Sequence, residues 1–416
     1  MFLPCARSSS LRISGRLPSS SAVSAIINES NPAKHQVARV EALLILKAAE
    51  RAARKRILSV LSNIDIAELL AQQAERETGI LSRAFRRAAR SAFLWPEEVS
   101  DLIAQNRLLT ELRGIGPFLG RQIQTWIDKP SPRAKKAPAI RRDFISMAQA
   151  RRLLASQSKW RANLRGDLQM HTRWSDGSGT IAEMADAAAN RSYEYIAITD
   201  HSKGLKIAGG IDERALNRQG REIARVNMAL SKSRAHLTVF RSIEMNLNPR
   251  GEGDVSPESL LALDLVLGSF HSALRTTEDQ TERYLPALRN GHLHILGHPR
   301  GRIYNFRIGL NADWPRVFAE AARLDKAVEI DCYPDRQDLN VELLKIAREH
   351  GTRISLGTDA HHRWQLEFIE LGLAAALRAK IPADRILNFT PVLELKAWAE
   401  CIRDGITLQD ELLEMK

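Results

Sequence analysis

Residues 164–177 read LRGDLQMHTRWSDG, so a short strand-like run ends in polar side chains of the kinds that bind metal ions. The same arrangement recurs further along the chain, where short apolar runs precede His201, His271 and His298. The candidate metal ligands identified in this way are Gln169, His171, Asp176, His201, Glu244, His271, His298, Asp359 and His361. Imidazoles and carboxylates at the ends of successive strands favour a multinuclear metal site, built from loops at one face of a barrel.

The composition of this ligand set indicates the kind of metal site. A mixture of histidine and carboxylate with almost no cysteine is typical of catalytic zinc, manganese or iron rather than a structural cysteine site. The three cysteines, Cys5, Cys332 and Cys401, are scattered along the chain. This spacing argues against a disulfide framework and favours a reducing compartment, and we expect a cytoplasmic protein.

Short apolar runs alternate with helical stretches beyond Leu164. The strand candidates lie at 164–170, 194–199, 237–243, 264–269, 293–297, 327–331 and 353–357. Seven strand–helix units predict an α/β fold with a closed parallel barrel, whose functional residues lie at the carboxyl ends of the strands.

The ordered motifs resemble the polymerase and histidinol phosphatase (PHP) superfamily of metal-dependent phosphoesterases, from about Leu164 to Phe389. The first motif reads Asp-Leu-Gln-x-His-Thr rather than the superfamily's His-x-His, as in the C-terminal PHP domain of bacterial family X DNA polymerases. The stretch IAGG at 207–210 points the same way. The resemblance implies a distorted (β/α)7 barrel.

The resemblance also implies three divalent metal ions. The first would take His171, Glu244 and Asp359, with Gln169 in the place of the usual first histidine. The second would share Glu244 and add His271 and His298, and the third would take Asp176, His201 and His361. Oxygen ligands favour Mn²⁺, with Zn²⁺ or Fe²⁺ as alternatives. Gln169 need not ligate, in which case Asp167 or water completes the shell.

Several residues adjoin these ligands without being ligands themselves. Arg173, Lys203 and Arg300 are candidate catalytic residues that clamp the substrate phosphate, because arginine matches phosphate geometry with two hydrogen bonds. Simple surface exposure is the alternative for all three. Glu329 and Asp331 are candidates for orienting the ligating histidines. We assign the remaining nearby histidines to structure or surface: His292, His294, His350 and His362.

The charge of the chain is unevenly distributed. Residues 1–165 hold 29 Lys plus Arg and 13 Asp plus Glu, a net charge of +16, whereas the remainder carries −4. This asymmetry predicts a nucleic-acid-binding module attached to the metalloenzyme. The alternative is a set of well-solvated helices in a basic protein.

Two features within the predicted helical domain, residues 35–127, suit contact with DNA phosphates. Arg83, Arg86, Arg87 and Arg90 fall along one helix face. Residues 109–123 resemble a helix-hairpin-helix, in which Gly114 and Gly116 permit a tight turn and Arg121 follows. Backbone N–H groups at the start of the second helix can hold a DNA phosphate without reading sequence. A helix-ending turn would look alike.

The remaining segments complete the expected domain organisation. Residues 1–34 are expected to form a disordered leader, with a transit peptide as the alternative. Residues 128–163 read as a basic, proline-rich exposed linker, 164–400 as the PHP domain and 401–416 as a tail. The segment between hairpin and PHP domain is shorter than the roughly 50 residues of a minimal domain. The polymerase core of family X enzymes is therefore absent.

These features together predict a metal-dependent phosphodiesterase acting on DNA, a 3′–5′ exonuclease or end-processing enzyme without polymerase activity. The alternative is a PHP-type phosphatase on a small phosphomonoester such as histidinol phosphate or a nucleotide. A DNA-binding scaffold with an inactive barrel is disfavoured, because only Gln169 departs from the superfamily pattern. No apolar run approaches the roughly 20 residues of a membrane span.

Overall fold

The computed structural model describes residues 61–128, 137–233 and 236–414, with side chains to residue 405. All of these belong to one compact unit of the chain. The predicted leader at 1–34, the start of the predicted helical domain at 35–60 and linker residues 129–136 lie outside the described residues. Among the described helices, none is long and apolar enough to cross a membrane.

A bundle of short helices precedes the barrel: α1 Asn63–Arg76, α2 Gly79–Ser91, α3 Val99–Ala104 and α4 Pro117–Asp128, with 3₁₀ turns at Ala92–Leu94 and Leu109–Glu111. The first helix begins at a capping box, because the Ser62 hydroxyl accepts from the Asp65 N–H and the Asp65 carboxylate accepts from the Ser62 N–H. Phe85, Phe93 and Trp95 fill a separate apolar core for this bundle.

The expected linker is wrong for residues 139–163. After a 3₁₀ turn at Ala139–Arg141, the chain forms α5 Met147–Ala155 and α6 Ser158–Ala162. Met147, Ala150 and Leu154 recur at helical spacing and are buried in the core of the barrel. The proline-rich composition that suggests a linker ends at Pro138, so the apolar positions beyond it determine the structure.

The barrel strands are β1 Gly166–Met170, β2 Tyr195–Ile198, β3 Thr238–Arg241, β4 Glu244–Asn246, β5 Leu267–Ser269, β6 Ile295–Leu296, β7 Ala327–Asp331 and β8 Arg353–Gly357. They form two parallel sheets, ordered β1-β2-β3 and β4-β5-β6-β7-β8. Because β4 follows β3 after two residues, the pair acts as one bent strand, and the bridge between His201 and Glu244 continues the pairing with β2.

The barrel closes between its last and first strands. Met170 pairs in parallel with Ala360, and the Asp359 N–H donates to the Gln169 carbonyl over 3.1 Å. Counting the bent β3–β4 segment once gives seven strands around the barrel. The predicted distorted (β/α)7 barrel is therefore confirmed.

The outer helices are α7 Ile181–Ala189, α8 Glu213–Lys232, α9 Pro257–Leu260, α10 Thr281–Arg289, α11 Trp314–Arg323, α12 Val341–Glu349, α13 Ile369–Ala379 and α14 Val392–Glu414. The last helix runs through the predicted boundary at residue 400, so residues 401–414 continue a barrel helix instead of forming a separate tail.

The helical bundle contacts the loops at the carboxyl ends of three barrel strands. After β6, the Tyr304 ring packs edge to face on Phe93 and Phe144, with centroids 4.7 Å and 5.4 Å away. After β7, Asp335 lies 4.0 Å from the Arg90 guanidinium. After β8, Trp364 stacks 4.3 Å below the Arg113 guanidinium. The bundle is thus fixed to the end of the barrel where functional residues are expected.

Candidate metal centre and basic face

Glu244, at the start of β4, is a fully buried carboxylate surrounded by imidazoles. Its Oε1 lies 2.7 Å from His298 Nε2 and 3.2 Å from His271 Nε2. Its Oε2 lies 2.9 Å from His201 Nδ1 and 3.6 Å from His171 Nε2. Burial alone would raise the pKa of Glu244, but the positive charge of His201, His271 and His298 holds it well below its usual range.

Asp359, directly after β8, joins the same group from the other side. Its Oδ1 lies 2.8 Å from His171 Nε2. Its Oδ2 accepts a hydrogen bond from the Arg336 guanidinium. Burial alone would raise the pKa of the Asp359 carboxyl, but Arg336 and His171 hold it well below its usual range. Asp359 therefore stays an anion that is able to ligate a cation.

Asp176 and His361 form a third group on the solvent side. Asp176 Oδ1 lies 3.3 Å from His361 Nε2 and 3.7 Å from His201 Nε2. The His171 ring stacks on His201 and on His361, with centroids 4.3 Å and 4.4 Å apart. One potential ligand atom from each of His171, Asp176, His201 and His361 falls within 4.8 Å of the others, and the same holds for His201, Glu244 and His271.

The donor set fits divalent metal ions. His171 Nδ1, His201 Nδ1 and Glu244 Oε2 are buried and have no hydrogen-bond partner in the part of the chain that the structure describes. The His201 and Glu244 atoms are close enough for an ion pair yet poorly aligned for a hydrogen bond. Unsatisfied buried donors and acceptors are costly, and a shared cation would satisfy the acceptors. We call these eight histidines and carboxylates the metal centre: His171, Asp176, His201, Glu244, His271, His298, Asp359 and His361.

Gln169 differs from the other candidate ligands in its contacts. In the amide orientation that satisfies its hydrogen bonds, the Gln169 nitrogen faces Glu329 and lies 2.6 Å and 3.1 Å from the two carboxylate oxygens. Glu329 also accepts a hydrogen bond from the backbone N–H of His298 over 2.8 Å, which holds the backbone of that candidate ligand. Asp167, the alternative ligand, is held by the Thr358 hydroxyl and N–H. Both carboxylate oxygens of Asp167 therefore have hydrogen-bond partners in the protein.

A cavity of about 260 Å³ opens over the metal centre. The arginines that line it are Arg302, Arg307 and Arg336, and its apolar lining includes Leu205, Ala208 and Leu274. The Arg302 guanidinium already binds protein groups, since it donates a hydrogen bond to the Asp143 carbonyl and stacks on Phe144. Arg307 uses only its Nε, on the Gly301 carbonyl, and Arg336 uses only Nη1, on Asp331 and Asp359, so these two arginines keep terminal nitrogens that could meet a phosphate.

The three phosphate-clamp candidates from the sequence do not line this cavity. Arg173 donates to the Ser178 carbonyl, Lys203 pairs with Glu213 over 2.6 Å, and Arg300 donates to the Ile308 carbonyl over 3.0 Å. Adjacent side chains of a loop point in different directions, so closeness in sequence to a candidate ligand does not predict that a side chain lines the cavity. Sequence reasoning missed Arg336, whose one signal is its position shortly after Asp331 at the end of β7.

The DNA-contact candidates lie on the exposed surface of the bundle. Arg83, Arg86, Arg87 and Arg90 all project from α2 opposite its buried face, and we call this set the basic face. Gly114 has a φ of +79°, and a Cβ there would lie 2.8 Å from Ser91 Oγ, so the hairpin turn requires glycine. Gly116 directly precedes α4, whose Arg121 is exposed.

Comparison with known proteins links the chain to phosphoester hydrolases. It is 34% identical over 236 residues to the DNA polymerase/3′-5′ exonuclease PolX of Bacillus subtilis, covering 56% of this chain and 41% of that protein. It is 30% identical over 192 residues to a probable phosphatase of Photobacterium profundum, covering 44% of this chain and 72% of the relative. No family model matches the chain.

A solved structure resembles the chain only distantly. The histidinol phosphate phosphatase of Lactococcus lactis, complexed with zinc, L-histidinol and phosphate, matches 51% of this chain and 93% of its own, with a TM-score of 0.37 and 16% identity. The barrel, the ordered histidines and carboxylates at its strand ends and the sequence relatives together identify the family. The chain belongs to the polymerase and histidinol phosphatase (PHP) superfamily of metal-dependent phosphoesterases.

Proposed function

We propose that the protein is a metal-dependent phosphodiesterase that hydrolyses DNA, as a 3′–5′ exonuclease or an end-processing enzyme without polymerase activity. The observation that carries the proposal is the docking of the arginine-bearing bundle on the loops that border the metal centre. Arg90 of the basic face approaches Asp335, which directly precedes Arg336 of the cavity. Arg113 of the hairpin stacks on Trp364, three residues after His361.

This arrangement suits a strand that runs across the bundle and ends in the cavity. Exposed arginines neutralise backbone phosphates irrespective of sequence, and the resulting binding weakens as salt rises. A phosphatase acting on a small molecule has no use for such a surface. The Bacillus subtilis relative is named as a polymerase and 3′-5′ exonuclease, which supports the DNA assignment, although this chain spans only 41% of it.

Three groups of residues would hold the ions. His171, Glu244 and Asp359 form the first group, His271 and His298 join Glu244 in the second, and Asp176, His201 and His361 form the third. Bound divalent ions supply a water of lowered pKa and neutralise charge on the phosphate. We favour Mn²⁺ because carboxylate oxygens contribute to every group.

The chain's own residues contribute binding and orientation. Arg336 holds Asp359 in place and, with Arg307, presents guanidinium groups to the cavity, where they can bind phosphate oxygens in two-point contacts. Glu329 fixes the backbone of His298, so that its imidazole keeps its direction towards Glu244. The apolar side chains of Leu205, Ala208 and Leu274 limit the access of bulk water to one side of the cavity.

The alternative is a phosphatase on a small phosphomonoester, and the observation that favours it is the small cavity of about 260 Å³. The Photobacterium profundum relative is also named as a probable phosphatase. Two features discriminate the alternatives. A phosphomonoesterase needs neither the basic face nor the hairpin. Its affinity for a small substrate would also lack the steep salt dependence that is typical of DNA binding.

The test uses the full chain with Mn²⁺ and end-labelled single- and double-stranded oligonucleotides, beside a generic phosphomonoester and a primed template with nucleotides. We expect stepwise shortening of DNA, slow phosphomonoester turnover and no extension of the primer. Hydrolysis confined to the phosphomonoester would favour the alternative, and template-directed extension would contradict the absence of a polymerase core.

A further inference from the structure

An exposed phenylalanine lies beside the cavity, in the loop that follows the ligand His298. Phe306 leaves 51% of its surface exposed, although a large apolar side chain gains free energy from burial. Its chain neighbour Arg307 lines the cavity. One face of the ring is covered by the Arg275 guanidinium at 4.5 Å, and Arg275 directly follows Leu274, which also lines the cavity.

The loop around Phe306 is held rigidly. Ile303 and Arg307 pair across a tight hairpin, with backbone hydrogen bonds of 2.8 Å and 2.9 Å between them. Tyr304 is buried in the helical bundle, and its N–H donates to the Asp335 carbonyl over 2.7 Å. The Asn305 side chain accepts a hydrogen bond from the Arg141 guanidinium over 3.0 Å. The exposure of Phe306 is therefore fixed by anchored residues on both sides.

We infer that Phe306 is a stacking platform for the unpaired base next to the phosphodiester bond that the enzyme cleaves. The inference rests on the proposed function and adds a substrate class to it, which is DNA ending in an unpaired, single-stranded nucleotide. An aromatic ring flanked by guanidinium groups suits this occupant, because the ring stacks on a base while the arginines neutralise the phosphates on either side.

The positions of the flanking residues support a base rather than another apolar group. Arg307 reaches into the cavity where the scissile phosphate would bind, and Phe306 is its immediate neighbour in the chain. Within one nucleotide the phosphate and the base are likewise close neighbours, so a phosphate at Arg307 would bring its base near Phe306. A terminal base that is paired in a duplex would have to give up its pairing and stacking to reach the ring, so the ring would select unpaired ends.

The test compares two single-stranded oligonucleotides that differ only at the 3′-terminal residue, which carries either a base or an abasic analogue. The full chain with Mn²⁺ should prefer the base-bearing strand. Phe306→Ala should reduce kcat/KM about tenfold on that strand, chiefly through KM, since stacking of one base is worth about one power of ten in affinity. Turnover of the abasic strand should stay unchanged, and Phe306→Trp should restore the preference.

Ile308→Ala is the matched control, because Ile308 lies in the same loop and is also 51% exposed. It should leave both strands unaffected, and thermal unfolding should show that all variants fold. Equal effects of Phe306→Ala on the two strands, or no effect on either, would overturn the stacking role. Failure of the proposed function would look different: the wild-type protein would cleave neither strand while still hydrolysing a phosphomonoester.

Discussion

Tyr304 and Phe93 pack edge to face with ring centroids 4.7 Å apart, although Tyr304 belongs to the barrel loop after β6 and Phe93 to the helical bundle. Both rings are buried in the apolar core of the bundle. The loop that contributes Arg307 to the cavity is thus anchored in the domain that carries the basic face. Bundle and metal centre are thereby coupled through one aromatic cluster.

Removing the Tyr304 ring should weaken this connection. Tyr304→Ala should destabilise the protein by about 3–5 kcal/mol, the usual cost of deleting a buried aromatic ring. It should also reduce kcat/KM on DNA more than on a small phosphodiester, because the bundle and the loop lose their common anchor. Tyr304→Phe keeps the ring and should behave like the wild type. Thermal unfolding and kinetics on both substrates measure the effect, and an equal loss on both substrates would contradict the coupling.

The metal centre should depend on each of its ligands. His271→Ala, His298→Ala and Asp359→Ala should lower the bound metal and reduce turnover by more than the ~10- to 100-fold typical of losing an outer partner. His350→Ala, which changes an exposed histidine after α12, is the control. Elemental analysis of the bound metal and measurement of turnover together test whether these residues hold the metal. Full metal content and activity in Asp359→Ala would refute the ligand assignment.

Metal binding should release protons. Burial lowers the pKa of His298, but the charge of Glu244 outweighs it and raises that pKa to about 10. Burial likewise lowers the pKa of His361, but its hydrogen bond with Asp176 and the charge of Asp359 raise it to about 9. Both imidazoles are therefore protonated at neutral pH in the metal-free protein, whereas a ligating imidazole must be neutral. Mn²⁺ affinity should rise with pH.

The same two histidines determine how the stability of the metal-free protein changes with pH. Both folded pKa values exceed the ordinary value of 6.5. In the metal-free protein their contribution to stability is complete below that value and is lost as pH rises through about 9 to 10. Calorimetric titration of Mn²⁺ in buffers of different ionisation enthalpy measures proton release. Metal uptake without proton release, or an affinity that is independent of pH, would contradict this prediction.

Replacing Gln169 tests whether this position tunes the metal. The amide oxygen is a weaker and harder ligand than imidazole, so Gln169→His should tighten the first site and shift preference from Mn²⁺ towards Zn²⁺. The contact between the Gln169 amide and Glu329 provides the alternative, in which the side chain only orients a neighbour. Metal titrations of activity for both proteins distinguish these roles. Identical Mn²⁺ and Zn²⁺ responses would show that Gln169 does not tune the metal.

The sequence predicts the barrel and its candidate ligands because both depend on local patterns. Apolar runs such as Ile295–Leu296 define strands, and polar residues directly after parallel strands, such as His298, must meet at one end. Arg307 and Arg336 were not predictable, since the direction of a loop side chain depends on distant anchors such as Tyr304. Residues 139–163 resemble a linker in sequence because the nearby prolines and charges obscure the apolar spacing of α5.

The docking of the bundle also changes how DNA binding is best tested. Met147, Ala150 and Leu154 belong to the barrel core, so a truncation close to α6 would damage the enzyme itself. Substitution of exposed arginines avoids this problem. A second exposed arginine stripe on α8 provides a control of equal charge: Arg214, Arg218, Arg221 and Arg225.

The decisive experiment is therefore to measure the salt dependence of DNA binding and hydrolysis after all four arginines of the basic face are changed to alanine. We predict a large loss of kcat/KM on single-stranded DNA, a decrease of up to about 3 in the slope of log affinity against log salt, and unchanged hydrolysis of a small phosphodiester. The α8 variant with four alanines should keep the wild-type slope. Equal behaviour of the two variants, or a basic-face variant that binds and cleaves DNA like the wild type, would contradict the claim that the bundle delivers DNA to the metal centre.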